Sequence, residues 1–274
     1  MSKVASIQMA SGPNVQANLD GAAKLIEEAV SQSAELIVLP ENFALMPMTE
    51  LERVGYAEKP GVGIMQDFLH NQSKKHGIWL VGGTIPMKCD VKGKAYSASL
   101  LFNDQGEQVA RYNKIHMFDV LLEDNNESYN ESGTTLAGED IVVVDTPFGR
   151  LGMAICYDLR FPEMFRTMVD HGMEICVLPS AFTAFTGQAH WEPLLRARAI
   201  ENLCFMVAAG QGGFHINNRK THGNSMIVDP WGKILGLRET GPGVVVAELD
   251  REYLTSTRKN FQVLEHRRLN CKIN

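Results

Sequence analysis

The chain contains the stretch Ala34-Glu35-Leu36-Ile37-Val38-Leu39-Pro40-Glu41, and its pattern returns as Met173-Glu174-Ile175-Cys176-Val177-Leu178-Pro179-Ser180. In both places a short apolar run, typical of a buried strand, ends in Leu-Pro and a polar residue. If the two stretches belong to half-folds related by pseudo-symmetry, their ends lie at one edge of the sheet, where α/β proteins hold their sites. A chance match between two apolar strands explains the pattern equally well.

Short β-rich segments and segments of helical periodicity alternate on both sides of these two stretches. This alternation predicts an α/β sandwich. Helical periodicity is found at residues 14–34, 64–76, 162–171 and 192–202. Residues 146–149 predict a hairpin turn between two strands, and residues 123–139 a long polar loop. No linker or low-complexity segment interrupts the chain, so we expect a single domain over residues 1–274.

Composition excludes several classes of protein. With 274 residues, 45% hydrophobic and 21% charged, the chain has the composition of an ordinary globular protein. A net charge of −6 argues against nucleic-acid binding, and the longest apolar run, residues 203–209, is too short to cross a membrane. The N-terminus lacks the features of an export signal, and the five cysteines form no CxxC pair that would indicate a zinc site or a disulfide framework. We therefore expect a cytoplasmic protein.

Cys156 is the strongest candidate for a nucleophile. It follows an apolar run at residues 151–155 and precedes a turn into the helix that begins near Pro162. A cysteine at such an elbow is exposed, and the backbone N–H groups that follow it can stabilise a thiolate and an oxyanion. The alternative is a buried cysteine that packs as a small hydrophobic residue. We apply this second interpretation to the other cysteines, Cys89, Cys176, Cys204 and Cys271.

For several polar residues, the sequence pattern by itself allows either a structural or a functional role. Glu41 is either a solvated loop residue or a base held at a strand end, and Lys114 is either a surface lysine or a functional cation. Glu131 lies in a loop with several other carboxylates, so composition does not single it out. His116 lies two positions after Lys114, and the residues by themselves favour a thiol hydrolase that uses Cys156 and His116.

Four short blocks follow one another along the chain. They are Leu39-Pro40-Glu41, Lys114-Ile115-His116-Met117-Phe118-Asp119, Tyr129-Asn130-Glu131-Ser132 and Cys156-Tyr157-Asp158-Leu159-Arg160-Phe161-Pro162-Glu163. With this order and spacing, the chain resembles the nitrilase superfamily of carbon–nitrogen hydrolases over nearly its whole length. The resemblance implies a four-layer αββα sandwich that forms a homodimer or a higher homo-oligomer, with residues 253–274 at the subunit interface. It implies no metal and no organic cofactor.

The resemblance also assigns roles to the open residues. It implies that Cys156 is the nucleophile, Glu41 the general base and Lys114 the cation that stabilises the oxyanion, while Glu131 positions Lys114. His116 is then only a neighbour of the site. A cysteine thiol with a pKa of about 8.5 is mostly protonated at neutral pH, so it needs a base within hydrogen-bond distance.

Residues 180–202 narrow the resemblance to amidases that act on the ω-amides of 2-oxo acids. The implied reaction is the hydrolysis of deaminated glutathione through a Cys156 thioester, which releases 2-oxoglutarate and cysteinylglycine. We expect the Tyr157 N–H to face the oxyanion, and Arg160 to bind the substrate carboxylate. We expect Phe182 and Thr183 to line the pocket. The alternatives are that Arg160 anchors the turn before the helix and that Phe182 packs in the core.

Three other functions compete with this interpretation. The chain is alternatively an ω-amidase that acts on 2-oxoglutaramate, or another amidase or a carbamoylase of the same superfamily. The third alternative is a binding protein that has the fold but no activity. Because all four matched residues are present, the sequence favours an enzyme with a small amide as substrate over a binding protein.

Overall fold

The computed structural model describes residues 2–122 and 127–269. The helices of this part of the chain are α1 (Val15–Ser31), α2 (Glu50–Gly55), α3 (Ile64–His76), α4 (Pro162–Asp170), α5 (Ala184–Asn202) and α6 (Arg251–Asn260). The strands are β1 (Ser2–Gln8), β2 (Leu36–Val38), β3 (Trp79–Val81), β4 (Ile85–Lys88), β5 (Ala95–Phe102), β6 (Gln108–Asn113), β7 (Asp119–Leu122), β8 (Glu127–Asn130), β9 (Val142–Thr146), β10 (Gly149–Met153), β11 (Ile175–Ser180), β12 (Phe205–Gly210), β13 (Gly212–Phe214), β14 (Lys220–His222), β15 (Ser225–Val228), β16 (Ile234–Arg238) and β17 (Gly243–Leu249).

Two large sheets form the centre of the fold. The first has the strand order β17-β1-β2-β3-β5-β4, with β6 paired to β5, and the second has the order β16-β15-β12-β11-β10-β9. Three neighbouring strands run parallel in each sheet, β1, β2 and β3 in the first and β10, β11 and β12 in the second. Antiparallel strands flank them on both sides. Parallel strands are covered on both faces, which explains their continuous apolar sequences.

The side chains of β2 show how the layers are arranged. Leu36 and Val38 belong to the hydrophobic cluster between the two sheets, whereas Ile37 belongs to the cluster under α1 and α3. The outer face of the second sheet is covered by α4 and α5, through residues such as Phe165 and Trp191. The layers therefore follow the order αββα, and the predicted four-layer sandwich is confirmed.

Local sequence explains where α1 begins and which face it buries. The Asn14 side chain accepts a hydrogen bond from the Ala17 N–H at 3.0 Å and caps the first turn. Leu19, Ala22 and Ile26 then recur at helical spacing and are buried.

The two Leu-Pro stretches form β2 and β11. These strands lie in different sheets, so the prediction that both ends lie at one edge of one sheet is wrong. The sheets face each other, and both strand ends border the same cavity, because Glu41 and Ala181 line it. Each strand is also the middle one of three parallel strands, as two half-folds related by pseudo-symmetry require.

Two segments differ from the sequence prediction. α5 begins at Ala184 instead of near residue 192, because Thr183 supplies its N-cap. Part of the predicted polar loop forms β8, which pairs with β7, and residues 123–126 lie outside the described residues. The segment predicted for the interface, residues 253–274, contains most of α6, and its residues 270–274 lie outside the described residues. None of the described helices is long and apolar enough to span a bilayer.

Candidate active site

The eight residues that the sequence predicts for the site lie together around one cavity. The cavity has a volume of about 410 Å³ and borders the ends of β2 and β11. Its lining includes Glu41, Lys114, Glu131, Cys156, Tyr157, Arg160, Phe182 and Thr183. Small-molecule sites commonly have volumes of about 300–1,000 Å³, so this cavity is large enough for a small substrate.

Glu41 is positioned by the turn that follows β2. The carbonyl oxygen of Pro40 passes so close to Gly83 that a Cβ at that glycine would lie 2.1 Å away. The Glu41 carbonyl accepts a hydrogen bond from Gln211 Nε2 at 3.0 Å. These backbone contacts hold the Glu41 side chain in the interior, where the residue is 4% exposed.

Lys114 follows β6 and is almost fully buried, with 2% of its surface exposed. Its Nζ lies 2.9 Å from Oε1 of Glu41 and 2.9 Å from each carboxylate oxygen of Glu131. Burial by itself would lower the pKa of Lys114, but the charges of Glu131 and Glu41 outweigh it and hold the pKa above its usual value. The ammonium therefore stays charged at neutral pH and is shared by two carboxylates.

Glu131 is held from two sides. It begins a short 3-10 helix after β8, and both of its carboxylate oxygens contact Lys114. Its Oε2 also accepts the backbone N–H of Phe118 at 2.7 Å. These contacts fix the direction in which the ammonium of Lys114 points, which is the geometry that a positioning role for Glu131 requires.

Cys156 occupies a strained backbone position. It begins a 3-10 helix (Cys156–Arg160) after β10, and its φ of 47° lies in the left-handed region that residues other than glycine rarely adopt. The thiol lines the same cavity as the Glu41 carboxylate and the Lys114 ammonium, and it is itself 7% exposed. Burial, followed by the charge of Glu41, raises the pKa of Cys156, and Lys114 opposes this shift. The resting group is a thiol, so a base must remove its proton when it attacks.

Asp158 is a buried carboxylate that the sequence reasoning did not single out. It accepts hydrogen bonds from the Tyr112 hydroxyl at 2.7 Å and from the Ile155 N–H at 2.8 Å. The second of these bonds anchors the residue that precedes Cys156. The available signal was an acidic residue two positions after the candidate nucleophile, which the sequence does not distinguish from a solvated turn residue.

His116 is held by other groups than the nucleophile. Its ring stacks on Phe161 with the centroids 3.7 Å apart, and its Nδ1 lies 2.7 Å from Oδ1 of Asp158. It is not among the described residues that line the cavity. The geometry therefore favours Glu41 over His116 as the base for Cys156.

Arg160 lies against two aromatic rings at the cavity wall. Its guanidinium carbon is 5.7 Å from the centre of the Tyr157 ring and 5.1 Å from that of the Phe182 ring. Its Nη1 lies 3.0 Å from Nδ1 of His190. Burial lowers the pKa of Arg160, and Arg160 and Cys156 line the same cavity. No carboxylate of the described residues forms an ion pair with Arg160.

Phe182 and Thr183 line the cavity and also stabilise the fold. The ring of Phe182 packs on Trp191, with centroids 4.9 Å apart. Thr183 caps α5, and its Oγ1 accepts the N–H of Thr186 at 3.2 Å. The core-packing role of Phe182 therefore coexists with its place in the cavity wall, and the hydroxyl of Thr183 is already engaged by the helix.

The β13–β14 hairpin adds residues that the sequence reasoning missed. Asn217, Asn218 and Arg219 lie at its turn and line the cavity. Asn217 Nδ2 donates a hydrogen bond to the Pro47 carbonyl at 2.8 Å, which joins the turn to the loop after β2. A short run of polar residues gives no signal that separates such a turn from any solvated loop.

Glu41, Lys114, Glu131 and Cys156 form what we call the buried ionic cluster. A thiol beside a carboxylate can attack a carbonyl while the carboxylate takes its proton. An ammonium that stays charged in a buried site can stabilise the negative oxygen that the attack produces. Among residues 2–122 and 127–269, no group of three or more His, Cys, Asp or Glu side chains is placed to hold a metal ion.

Sequence comparison finds relatives over almost the full chain. Residues 3–259 match the family model described as carbon-nitrogen hydrolase. A protein of Synechocystis sp. (strain PCC 6803 / GT-S) named deaminated glutathione amidase is 41% identical over 266 residues, which cover 96% of this chain and 97% of that protein.

Two solved structures resemble the chain in fold and in sequence. The C. elegans NitFhit protein has a TM-score of 0.91 and 35% identity, over 100% of this chain and 67% of that chain. Saccharomyces cerevisiae Nit3, described as a member of branch 10 of the nitrilase superfamily, has a TM-score of 0.85 and 34% identity, over 95% of this chain and 94% of that chain.

Proposed function

The chain belongs to the carbon–nitrogen hydrolase family, and we propose that it hydrolyses the ω-amide bond of deaminated glutathione to release 2-oxoglutarate and cysteinylglycine. The family and the relatives make it an amidase. The observation that carries the proposal is the buried ionic cluster, in which Glu41 pairs with the charged Lys114 at 2.9 Å and both line the cavity with the Cys156 thiol. Similarity over nearly the full chain to proteins named deaminated glutathione amidase supports the choice of substrate.

In the first half-reaction Cys156 attacks the amide carbonyl, and Glu41 takes the thiol proton as the C–S bond forms. The C–N bond then breaks, and Glu41 gives this proton to the leaving nitrogen. The products are a thioester on Cys156 and the free amine of cysteinylglycine. The raised pKa of Cys156, caused by burial and by the charge of Glu41, supports this order, because such a thiol loses its proton during the attack.

Lys114 stabilises the oxygen of the scissile carbonyl when it becomes negative. Its ammonium is already in place and charged, so no reorganisation is needed at the moment of reaction. We assign a second donor to the backbone N–H of Tyr157, which directly follows Cys156. Glu131 keeps the ammonium in position through its two contacts of 2.9 Å.

In the second half-reaction water hydrolyses the thioester. Glu41 takes a proton from the water as its oxygen attacks the carbonyl, and the proton returns to the sulfur when the C–S bond breaks. The product is 2-oxoglutarate, and Cys156 is again a thiol.

We assign Arg160 to the carboxylate of the 2-oxo acid. Its guanidinium rests on Tyr157 and Phe182, lines the same cavity as Cys156 and pairs with no carboxylate of the described residues. A guanidinium can bind a carboxylate through two parallel hydrogen bonds. Thr183 contributes to the cavity wall beside Phe182.

We also propose that residues 1–274 form one domain, which acts in the cytoplasm as a homodimer with the tail at residues 253–274 in the interface. Trp231 and Phe261 are 57% and 44% exposed, and their rings meet edge to face at 5.4 Å. Exposed aromatic residues are typical of subunit contacts. Size-exclusion chromatography with light scattering tests the dimer, and a monomeric mass at micromolar concentration would contradict it.

The substrate is tested by measuring product release from deaminated glutathione and from 2-oxoglutaramate in parallel, with Cys156→Ala as the control. We expect faster release of 2-oxoglutarate from deaminated glutathione and none above background with the variant. A preference for 2-oxoglutaramate would make the protein an ω-amidase. Turnover of neither substrate, with Cys156 still reactive towards iodoacetamide, would reject the proposed substrate and retain the chemistry.

A further inference from the structure

Four cations of the described residues line the cavity. Two of them, Lys114 and Arg53, pair with carboxylates of the protein. The other two, Arg160 and Arg219, form no ion pair with a carboxylate of residues 2–122 or 127–269. A ligand with one carboxylate would leave one of these guanidiniums unpaired, whereas a ligand with two carboxylates would match both.

Arg219 is held at the cavity by the turn between β13 and β14. Its Nη2 donates to the Ala181 carbonyl at 3.1 Å, and its guanidinium carbon lies 5.3 Å from the centre of the Tyr129 ring. Its Nε is buried and has no hydrogen-bond acceptor among the described residues. Buried donors in folded proteins nearly always have a partner, so an unpaired donor of this kind indicates a bound group or an ordered water.

Ala181 places Arg219 in the same cavity as the nucleophile. Its carbonyl accepts the hydrogen bond from Arg219, and Ala181, Arg219 and Cys156 all line the cavity. Arg219 rests on Tyr129, whereas Arg160 rests on Tyr157. The two guanidiniums therefore reach the cavity from different elements and contact different rings, which gives the cavity two separate places for a carboxylate.

We propose that Arg219 binds the carboxylate of the leaving group and thereby favours a peptide-like amide over a simple ω-amide. The inference rests on the proposed function. Deaminated glutathione carries one carboxylate on the acyl side of the scissile bond and a second one, that of its glycine, on the leaving side. Arg160 is assigned to the first, and Arg219 supplies charge-assisted hydrogen bonds to the second. The leaving group of 2-oxoglutaramate is ammonia, which has no carboxylate.

The two substrates isolate this role from the other roles in the site. Both give the same 2-oxoglutaryl thioester on Cys156, so their second half-reactions are identical. A residue that contacts the leaving group changes the binding and acylation of deaminated glutathione alone. A residue that contacts the acyl group changes both substrates to a similar extent.

The experiment compares kcat/KM for both substrates in the wild type, Arg219→Gln and Arg196→Gln. Arg196 is the matched control, because it pairs with Glu192 on α5 and its replacement removes the same charge outside the cavity. We expect Arg219→Gln to lower the ratio of kcat/KM for deaminated glutathione to that for 2-oxoglutaramate by about tenfold or more, mainly through KM. Arg196→Gln should leave this ratio within about twofold. An equal loss on both substrates with Arg219→Gln would overturn the proposal.

A third substrate is deaminated glutathione with its glycine carboxylate converted to an amide. If Arg219 only stabilised the fold, its replacement would not change the preference for the acid over this amide. The wild type should favour the acid over this amide, and Arg219→Gln should treat the two alike. A wild type that does not distinguish the acid from the amide would also overturn the proposal.

Calorimetric titration with deaminated glutathione separates this inference from the proposed function. It compares Cys156→Ala with the double variant Cys156→Ala/Arg219→Gln, neither of which needs to turn over the ligand. If the wild type is inactive but the double variant binds about tenfold more weakly than Cys156→Ala, the proposed function fails and the role of Arg219 stands. Equal affinities overturn the role of Arg219, and no binding to Cys156→Ala overturns both.

Discussion

Two parts of the cavity differ in whether their charged side chains have partners of opposite charge within the protein. In the buried ionic cluster, Lys114 contacts Glu41 and Glu131 at 2.9 Å, so each of these charges has a partner within the protein. The two cavity arginines, Arg160 and Arg219, rest on aromatic rings and pair with no carboxylate of the described residues. The first part is complete without a ligand, and the second is not.

This difference separates chemistry from recognition. Charged groups that already have partners within the protein are in place when a substrate arrives, which is what stabilisation of a transition state requires. An unpaired guanidinium gains most from a ligand that supplies the missing charge. We therefore expect substitutions in the buried ionic cluster to affect every amide, and substitutions of the cavity arginines to depend on which carboxylates the amide carries.

The largest effect is expected for Glu41→Gln. The substitution keeps the size of the side chain but removes the base. In the wild type, burial and Glu41 raise the pKa of the Cys156 thiol, so in the variant the thiol stays protonated and no group takes its proton. General acid–base catalysis contributes about 10²–10⁴-fold, and Glu41 acts in both half-reactions, so kcat should fall by about 10³-fold or more. Steady-state kinetics should show this loss for deaminated glutathione and 2-oxoglutaramate alike. A loss confined to one substrate would contradict the comparison.

His116→Gln is the matched control for this prediction. His116 binds Asp158 and stacks on Phe161, and the amide of a glutamine can still donate to Asp158. We expect turnover within about threefold of the wild type, because no proton transfer is lost. The reverse pattern, an active Glu41→Gln and an inactive His116→Gln, would restore the interpretation that pairs Cys156 with His116.

The next effect concerns stability. Lys114→Met leaves Glu41 and Glu131 buried without their shared cation, and breaking a buried ion pair from one side costs about 3–5 kcal/mol. Arg160→Met removes a charge that has no carboxylate partner among the described residues, so its free energy of unfolding should change by about 1 kcal/mol or less. Urea unfolding at pH 7 measures both variants. Similar losses of stability in the two variants would contradict the claim that Lys114, unlike Arg160, is paired with carboxylates of the protein.

Local sequence singled out Cys156, because the apolar run before it, which forms β10, can be recognised locally. Glu41 likewise follows β2, but the residues left it open between a loop residue and a base, so its role depended on the resemblance to a family. The partnership of Lys114 with Glu41 joins positions 73 residues apart, so it depended on the resemblance to a family. Asp158 and Arg219 were missed for the same reason, because their contacts come from distant parts of the chain.

Helix boundaries show a second limit of local reasoning. Helical periodicity predicted a helix over residues 192–202, whereas α5 begins at Ala184 with Thr183 as its N-cap. Proline is disfavoured in a helix interior, yet Pro193 lies inside α5, so local preference does not set this boundary. The tertiary contacts of the first half of α5, such as Trp191 with Phe182, stabilise the longer helix.

Arg160→Gln should produce a smaller effect than either substitution in the buried ionic cluster. Charge-assisted hydrogen bonds contribute about 1.5–3 kcal/mol, so kcat/KM should fall by about 10–100-fold, mainly through KM. Both deaminated glutathione and 2-oxoglutaramate carry the 2-oxo acid carboxylate, so their losses should be similar. Arg219→Gln gives the contrasting pattern on the same two substrates. A loss confined to deaminated glutathione would exchange the assignments of the two cavity arginines.

The smallest effect is the dependence of stability on alkaline pH. Burial and Glu41 raise the pKa of Cys156 in the folded protein, whereas an unfolded cysteine has a pKa of about 8.5. Above about pH 8.5 the unfolded chain binds fewer protons than the folded protein, so stability falls as pH rises, by up to about 1.4 kcal/mol per pH unit for each such group. Burial also raises the pKa of Cys204, to about 12, and that of Cys176, so the wild type loses stability at several sites at once.

Cys156→Ala removes one of these contributions, whereas Arg160→Gln removes none, because the guanidinium keeps its proton in both states at these pH values. We would measure urea unfolding at pH 7.5, 8.5 and 9.5 under reducing conditions. The free energy of unfolding should fall less steeply with pH for Cys156→Ala than for the wild type, and as steeply as the wild type for Arg160→Gln. Lys114 does not interfere, because the pKa of an unfolded lysine, about 10.4, lies above this range and its folded value is higher still. If Cys156→Ala declined as steeply as the wild type, the folded thiol would titrate like an unfolded one. The proton that Glu41 is proposed to remove would then already be absent from part of the resting enzyme.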